Sequence, residues 1–227
     1  MFKPLSSWIK RNHPLPVRFY TAGYVDKPKN EWSVWLSIEE VSPLYLATNM
    51  KWQSLEESRK ITQDYLNEAS ELINGLEGGW LDHEEQELII NYLGLPPDPS
   101  LPIYLITYTN SEDQEELAYI GITKKSSRFL GGHPAALKLH SPKYTNTVKK
   151  IYRCTAWFHD DDEYISLDWM QPESLSLELI DSLESHLIYH FQPELNTAKK
   201  KNNLAKWDFY IHIQNFLDGK FLNDKFV

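Results

Sequence analysis

Apolar positions change period along this chain, and each change marks an element. From Ser54 to Leu76, Leu55, Thr62, Leu66, Ala69 and Ile73 recur near 3.6 residues, which predicts a helix. Ser54 with Glu57 three residues on reads as a capping box, and Asn74-Gly75 closes the segment. A second helix is predicted from about Asp82 to Tyr92, with Glu84 and Glu85 at its positive end and Gly94 as its stop. The strongest helical pattern runs from Ser174 to Phe191, with Leu175, Leu179, Leu183, Leu187 and Phe191 on one stripe and Pro193 beyond it. Ile103 to Thr109 and Leu117 to Thr123 are β-branched and aromatic and read as a hairpin around a polar loop. Further strands are expected over Val148–Phe158 and Tyr164–Trp169, and a strand or short helix around Trp32–Ile38. A short helix is expected over Pro134–Leu139 and a last helix over Asn203–Leu217. Residues 1–30 mix prolines, aromatics and bases and read as a short strand or irregular arm.

Between these patterns lies Leu95-Pro-Pro-Asp-Pro-Ser-Leu-Pro102, whose four prolines suit neither helix nor central strand. The expected division is a mainly helical region over 1–100, a core over 101–200 and a C-terminal helix packed on that core over 201–227. The fold class is then α+β, a small antiparallel sheet flanked by helices. No apolar run approaches the ~20 residues that span a bilayer, and the N-terminus lacks a signal-peptide pattern. The single cysteine, Cys154, excludes an internal disulfide or a cysteine-based zinc cluster, and a reducing, cytoplasmic compartment is expected.

The net charge of −9 argues against a nucleic-acid partner, but its distribution does not. Residues 1–100 carry 9 basic and 15 acidic side chains, which suits protein binding or self-association better than backbone binding. Leu117 to His159 holds eight Lys or Arg and no acid. Local charge sets the field that a phosphate backbone meets, so Lys124, Lys125, Lys149 and Lys150 are candidate substrate-binding residues. The other reading is a solvated basic face balanced by acids from elsewhere.

Glu184 falls between Ile180 and Ile188 at the edge of the apolar stripe of its helix. A carboxylate there needs a cationic partner, either a hard divalent ion or a nearby Lys or Arg. An ammonium already bonded to it would count against an enzyme. Tyr104 and Tyr119 sit in neighbouring strands, with Gly121 on the face of Tyr119, where a glycine leaves room for a phosphate. Arg128 offers a planar fork for phosphate oxygens. His133 and Asn196, after Pro193-Glu194-Leu195, complete an ordered set spanning about a hundred residues.

Ile103-Tyr104, Tyr119-Ile120-Gly121, Arg128, His133, Glu184 and Pro193-x-x-Asn196, in that order, resemble the GIY-YIG nucleases over roughly residues 101–200. The sequence departs from that pattern at Pro102, which replaces the opening glycine, and at His133, five rather than four residues past the arginine. The resemblance implies a metal-dependent endonuclease that hydrolyses phosphodiester bonds in DNA, with RNA as a second candidate substrate. It implies Tyr104, Tyr119, Arg128, His133 and Glu184 as catalytic residues, Mg²⁺ or Mn²⁺ on Glu184, and Asn196 as a substrate-binding residue that also supports the site. The alternative is a nuclease-like fold that binds nucleic acid or protein without cutting.

Overall fold

A computed structural model of the chain describes residues 3–15, 30–76, 79–125, 127, 129–130, 132–160, 163–217 and 219–227. In chain order these form α1 (Pro4–Ile9), β1 (Glu31–Pro43), a 3₁₀ turn (Leu44–Asn49), α2 (Leu55–Leu72) and α3 (His83–Leu93). The proline-rich segment follows, then β2 (Ile103–Thr109), β3 (Glu115–Ile122), α4 (Pro134–Lys138) and β4 (Lys149–Asp160). A 3₁₀ turn at Pro142–Tyr144 precedes β4; β5 (Glu163–Ser166), α5 (Glu173–Phe191), β6 (Asp208–Asn215) and β7 (Lys225–Phe226) complete the order.

Local chemistry accounts for the helix ends. Ser54 and Glu57 form the expected capping box at α2, with Glu57 N–H donating to Ser54 Oγ at 3.1 Å and Ser54 N–H to Glu57 at 2.7 Å. Asp82 and Glu85 form a second box at α3, each bond 2.8 Å long. Gln192 enters the left-handed region at φ 52° and Pro193 follows, so α5 stops there.

The strands build one sheet in the order β3-β2-β4-β1-β6-β7, with β5 paired to the far end of β4. The expected small antiparallel sheet is therefore larger and mixed: β1 runs antiparallel to β4 but parallel to β6. The helix expected over 203–217 is strand β6. Phe209, Ile211 and Ile213 point inward and Tyr210 outward, a period of two that helix packing cannot use. The N-terminal hundred residues are not only helical, because β1 lies inside the sheet with Val34, Leu36 and Ile38 buried.

One face of the sheet carries the main core. Trp32, Leu36 and Ile38 of β1, Ile103 and Leu105 of β2, and Cys154 and Phe158 of β4 pack there with α1, α2, α3 and α5. Two-residue alternation sends Tyr104 and Ile106 to the opposite face, into a smaller cluster with Trp52, Phe129 and Ile151. Among the described residues no helix is long and apolar enough to cross a membrane.

Candidate active site

The site is built on the hairpin of β2 and β3. Their register sets Tyr104 opposite Gly121 and Ile106 opposite Tyr119. Tyr104 and Tyr119 therefore share a face, their rings 6.0 Å apart at 23°. A Cβ on Gly121 would lie 2.5 Å from Tyr104 Cζ and 2.7 Å from Tyr119 Cε1. The room over Gly121 is thus not left for a phosphate, as expected from the sequence; the Tyr104 phenol fills it. Tyr104 is fully buried, and Trp52 and Phe129 meet it edge to face.

His133 occupies the position just before α4, in extended conformation, with Pro134 opening the helix. Its ring stacks on Phe129 at 4.7 Å and presents its Nε2 to the Tyr104 hydroxyl at 2.8 Å. Tyr119 stands edge to face with it at 5.2 Å. Tyr104 and His133, the most buried of the expected catalytic residues among those described, are thus a hydrogen-bonded pair inside an aromatic cluster. Tyr119 is only half-buried, and its hydroxyl makes no hydrogen bond among the described residues.

Glu184 reaches the same place from α5. A cleft of about 290 Å³ is lined by Tyr119, His133, Lys138, Glu184, Asn196 and Lys199. It opens at the outer edge of β3, where the chain after α5 runs alongside. Leu195 N–H donates to Ala118 O at 2.8 Å. The Asn196 side chain accepts from Ile120 N–H and donates to Ile120 O, both at 2.9 Å. Both ends of that amide are engaged by the strand, so Asn196 positions β3 and covers its edge rather than binding substrate.

The partner of Glu184 is Lys199, whose Nζ lies 2.7 Å from Oε2. Burial pulls the Lys199 pKa down, but the hydrogen bond and charge of Glu184, joined by Asp181, outweigh it and raise the pKa above the ordinary lysine value. This is the ammonium pairing expected to count against an enzyme, and it leaves no ready metal centre at Glu184. One carboxylate oxygen is taken, and among the described residues no group of three His, Cys, Asp or Glu is placed to hold an ion. A divalent ion does not fit this donor set until the ammonium leaves.

The four expected substrate-binding lysines are spread over the molecule and mostly engaged. Lys124 lies 3.8 Å from Asp181, and Lys125 is exposed. Lys149 donates to the carbonyl of Tyr144 at 2.8 Å, and Lys150 pairs with Glu115 at 2.9 Å. Glu115 also takes the Tyr152 hydroxyl, whose pKa burial and this carboxylate push up. Arg153 pairs with Glu40 at 2.8 Å and lies over the Trp52 ring, while Lys143 pairs with Glu194. Acids from elsewhere thus balance much of the acid-free stretch. Arg128 lies outside the described residues. Lys138 and Lys199, at the cleft, were not singled out; the Lys199-Lys-Lys201 run, starting three residues beyond Asn196, was the available signal for Lys199.

Comparison of the chain with family models, with curated proteins and with solved structures returns no match.

Proposed function

We propose that the cleft at the edge of β3 takes a nucleic-acid backbone and hydrolyses a phosphodiester bond, in the manner of the GIY-YIG nucleases that its residues resemble. One observation carries this reading. Tyr119, His133 and Glu184, spread over 65 residues of sequence, line a single cleft, with Tyr104 hydrogen-bonded behind His133. In this reading the Tyr119 phenol and His133 activate the attacking water, and Tyr104 and Phe129 fix the imidazole for that task. Lys138 and Lys199 meet phosphate oxygens at the cleft wall, and Arg128 is the guanidinium expected to grip them. Glu184 is held by Lys199, so the divalent ion that the resemblance implies would have to displace that ammonium before it could neutralise charge at a phosphorus centre. DNA is the substrate class the resemblance favours, and the cytoplasm is the compartment that suits the free, buried thiol of Cys154.

The Glu184–Lys199 pair favours a second reading, in which the same cleft binds nucleic acid without cutting it. Incubation with supercoiled plasmid and Mg²⁺ or Mn²⁺ separates the two. Nicking by the wild type that Glu184→Gln abolishes is the result expected of a nuclease. Retarded bands without nicking would leave the binding module, and nicking undiminished by Glu184→Gln would refute the proposed centre.

A further inference from the structure

Away from the cleft beside β3, one buried carboxylate is held by neutral donors alone. Asp168, in the turn after β5, is 4% exposed. Its Oδ2 accepts the Ser58 hydroxyl of α2 at 2.8 Å and the Ser100 N–H, from the proline-rich segment, at 3.2 Å. Its Oδ1 is buried and has no hydrogen-bond partner among the described residues, and neither has the Ser100 hydroxyl. Arg59 and Lys3 are close by but engaged elsewhere. Arg59 donates to the backbone carbonyls of Asp168 and Met170 at 3.0 and 2.9 Å and pairs with Glu173 at 3.2 Å. Lys3 pairs with Asp98. A buried carboxylate without a cation of its own is costly.

Asp168 lines a cavity of about 20 Å³ together with Lys3, Thr62, Trp157, Ser166 and Trp169. That volume admits one group the size of a water molecule. A hard divalent ion takes about six oxygen ligands and keeps some of its waters, for which there is no room. A singly charged ion of water size fits, and the two indole side chains in the wall keep its attraction to the carboxylate little screened. We infer that this cavity binds one monovalent cation, potassium or ammonium, on Asp168 Oδ1. The site is separate from the cleft beside β3 and does not depend on the nuclease reading. Ser58 of α2 and Ser100 of the proline-rich segment meet on the same carboxylate, so the bound ion fastens both segments to the turn after β5.

The test is thermal unfolding of the full chain in chloride salts at constant ionic strength. Tetramethylammonium, too large for the cavity, is replaced stepwise by K⁺ or NH₄⁺. An ion that binds only the folded chain should raise Tm by roughly 3–5 °C for each tenfold rise in concentration above its dissociation constant. A larger rise with NH₄⁺ than with K⁺ would identify the ligand as a hydrogen-bond donor, and the reverse order would identify it as potassium. Asp168→Asn keeps the shape, removes the charge and should show no rise with either ion. The same Tm in all three salts, or an equal rise in Asp168→Asn, would overturn the inference and leave the cavity to water. A direct reading needs no variant. Wild-type crystals soaked in Rb⁺ or Tl⁺, singly charged ions of similar size, should show an anomalous peak beside Asp168 Oδ1. Should Asp168→Asn fail to fold, this peak decides, and its absence would refute the site.

Discussion

Replacing Gly121 with alanine places a methyl group 2.5 Å from Tyr104 Cζ and 2.7 Å from Tyr119 Cε1. Ordinary carbon contacts lie near ~3.5–4.0 Å, so the overlap approaches an ångström in two directions at once. Tyr119 is half-buried and can turn. Tyr104 cannot: it is fully buried, wedged against Trp52 and Phe129, and bonded to His133. Overpacking of this kind costs roughly 1–3 kcal/mol, and the upper end applies here. For a chain of this size each kcal/mol moves Tm by about 2–4 °C, so a fall of roughly 6–12 °C is expected. Urea denaturation in a double-mutant cycle isolates the cause. Tyr104→Ala alone should cost about 3–5 kcal/mol. In that background Gly121→Ala should cost under about 1 kcal/mol, giving a coupling of about 2 kcal/mol. Tyr104→Phe should not rescue, because the ring carbon is as much in the way as the hydroxyl. An equal penalty for Gly121→Ala with and without Tyr104 would refute the claim that the phenol occupies this space.

Asn196→Ala strips Ile120 of its side-chain donor and acceptor and should cost about 1–3 kcal/mol. The Ile120 amide should then exchange quickly with deuterium, and undiminished protection would show that Asn196 does not hold the β3 edge. His186 is desolvated, with His190 adding repulsion, so its pKa lies below the usual histidine value of 6.5. The unfolded chain takes up that proton more readily than the folded one, so stability should fall as pH drops below 6.5. His186→Gln should flatten that limb of the urea-midpoint profile between about pH 5 and 7.5; an unchanged slope would put the proton uptake elsewhere.

Elements whose cause is local could be read from the sequence. The capping box at Ser54, the acidic first turn after Asp82 and the Gly94 and Pro193 stops placed α2, α3 and α5 to within a few residues, and the structure adds a second box at Asp82. The hairpin of β2 and β3 was equally plain from its β-branched and aromatic runs. What depended on distant partners was not. The alternation of Phe209, Ile211 and Ile213 is present in the sequence, but only the place beside β1 makes it a strand. At the site, the residue types and their order pointed to one pocket; Tyr119, His133, Glu184 and Asn196 line a cleft, and Tyr104 lies buried behind it. The occupant of the space over Gly121 and the identity of the cation on Glu184 required the register of two strands and the path of the loop after α5.

The neighbours of β1 have a consequence for how the chain folds. Residues 31–43 are made before both of their neighbours: one flank waits for residues 149–160 and the other for 208–215. Contacts separated by more than a hundred residues demand loop closure before they return any stabilisation, which slows folding. Among the described strands the earliest is therefore one of the last to be completed on both sides, and until residues 208–215 arrive an apolar ribbon bearing Trp32, Val34 and Leu36 is open to the wrong company.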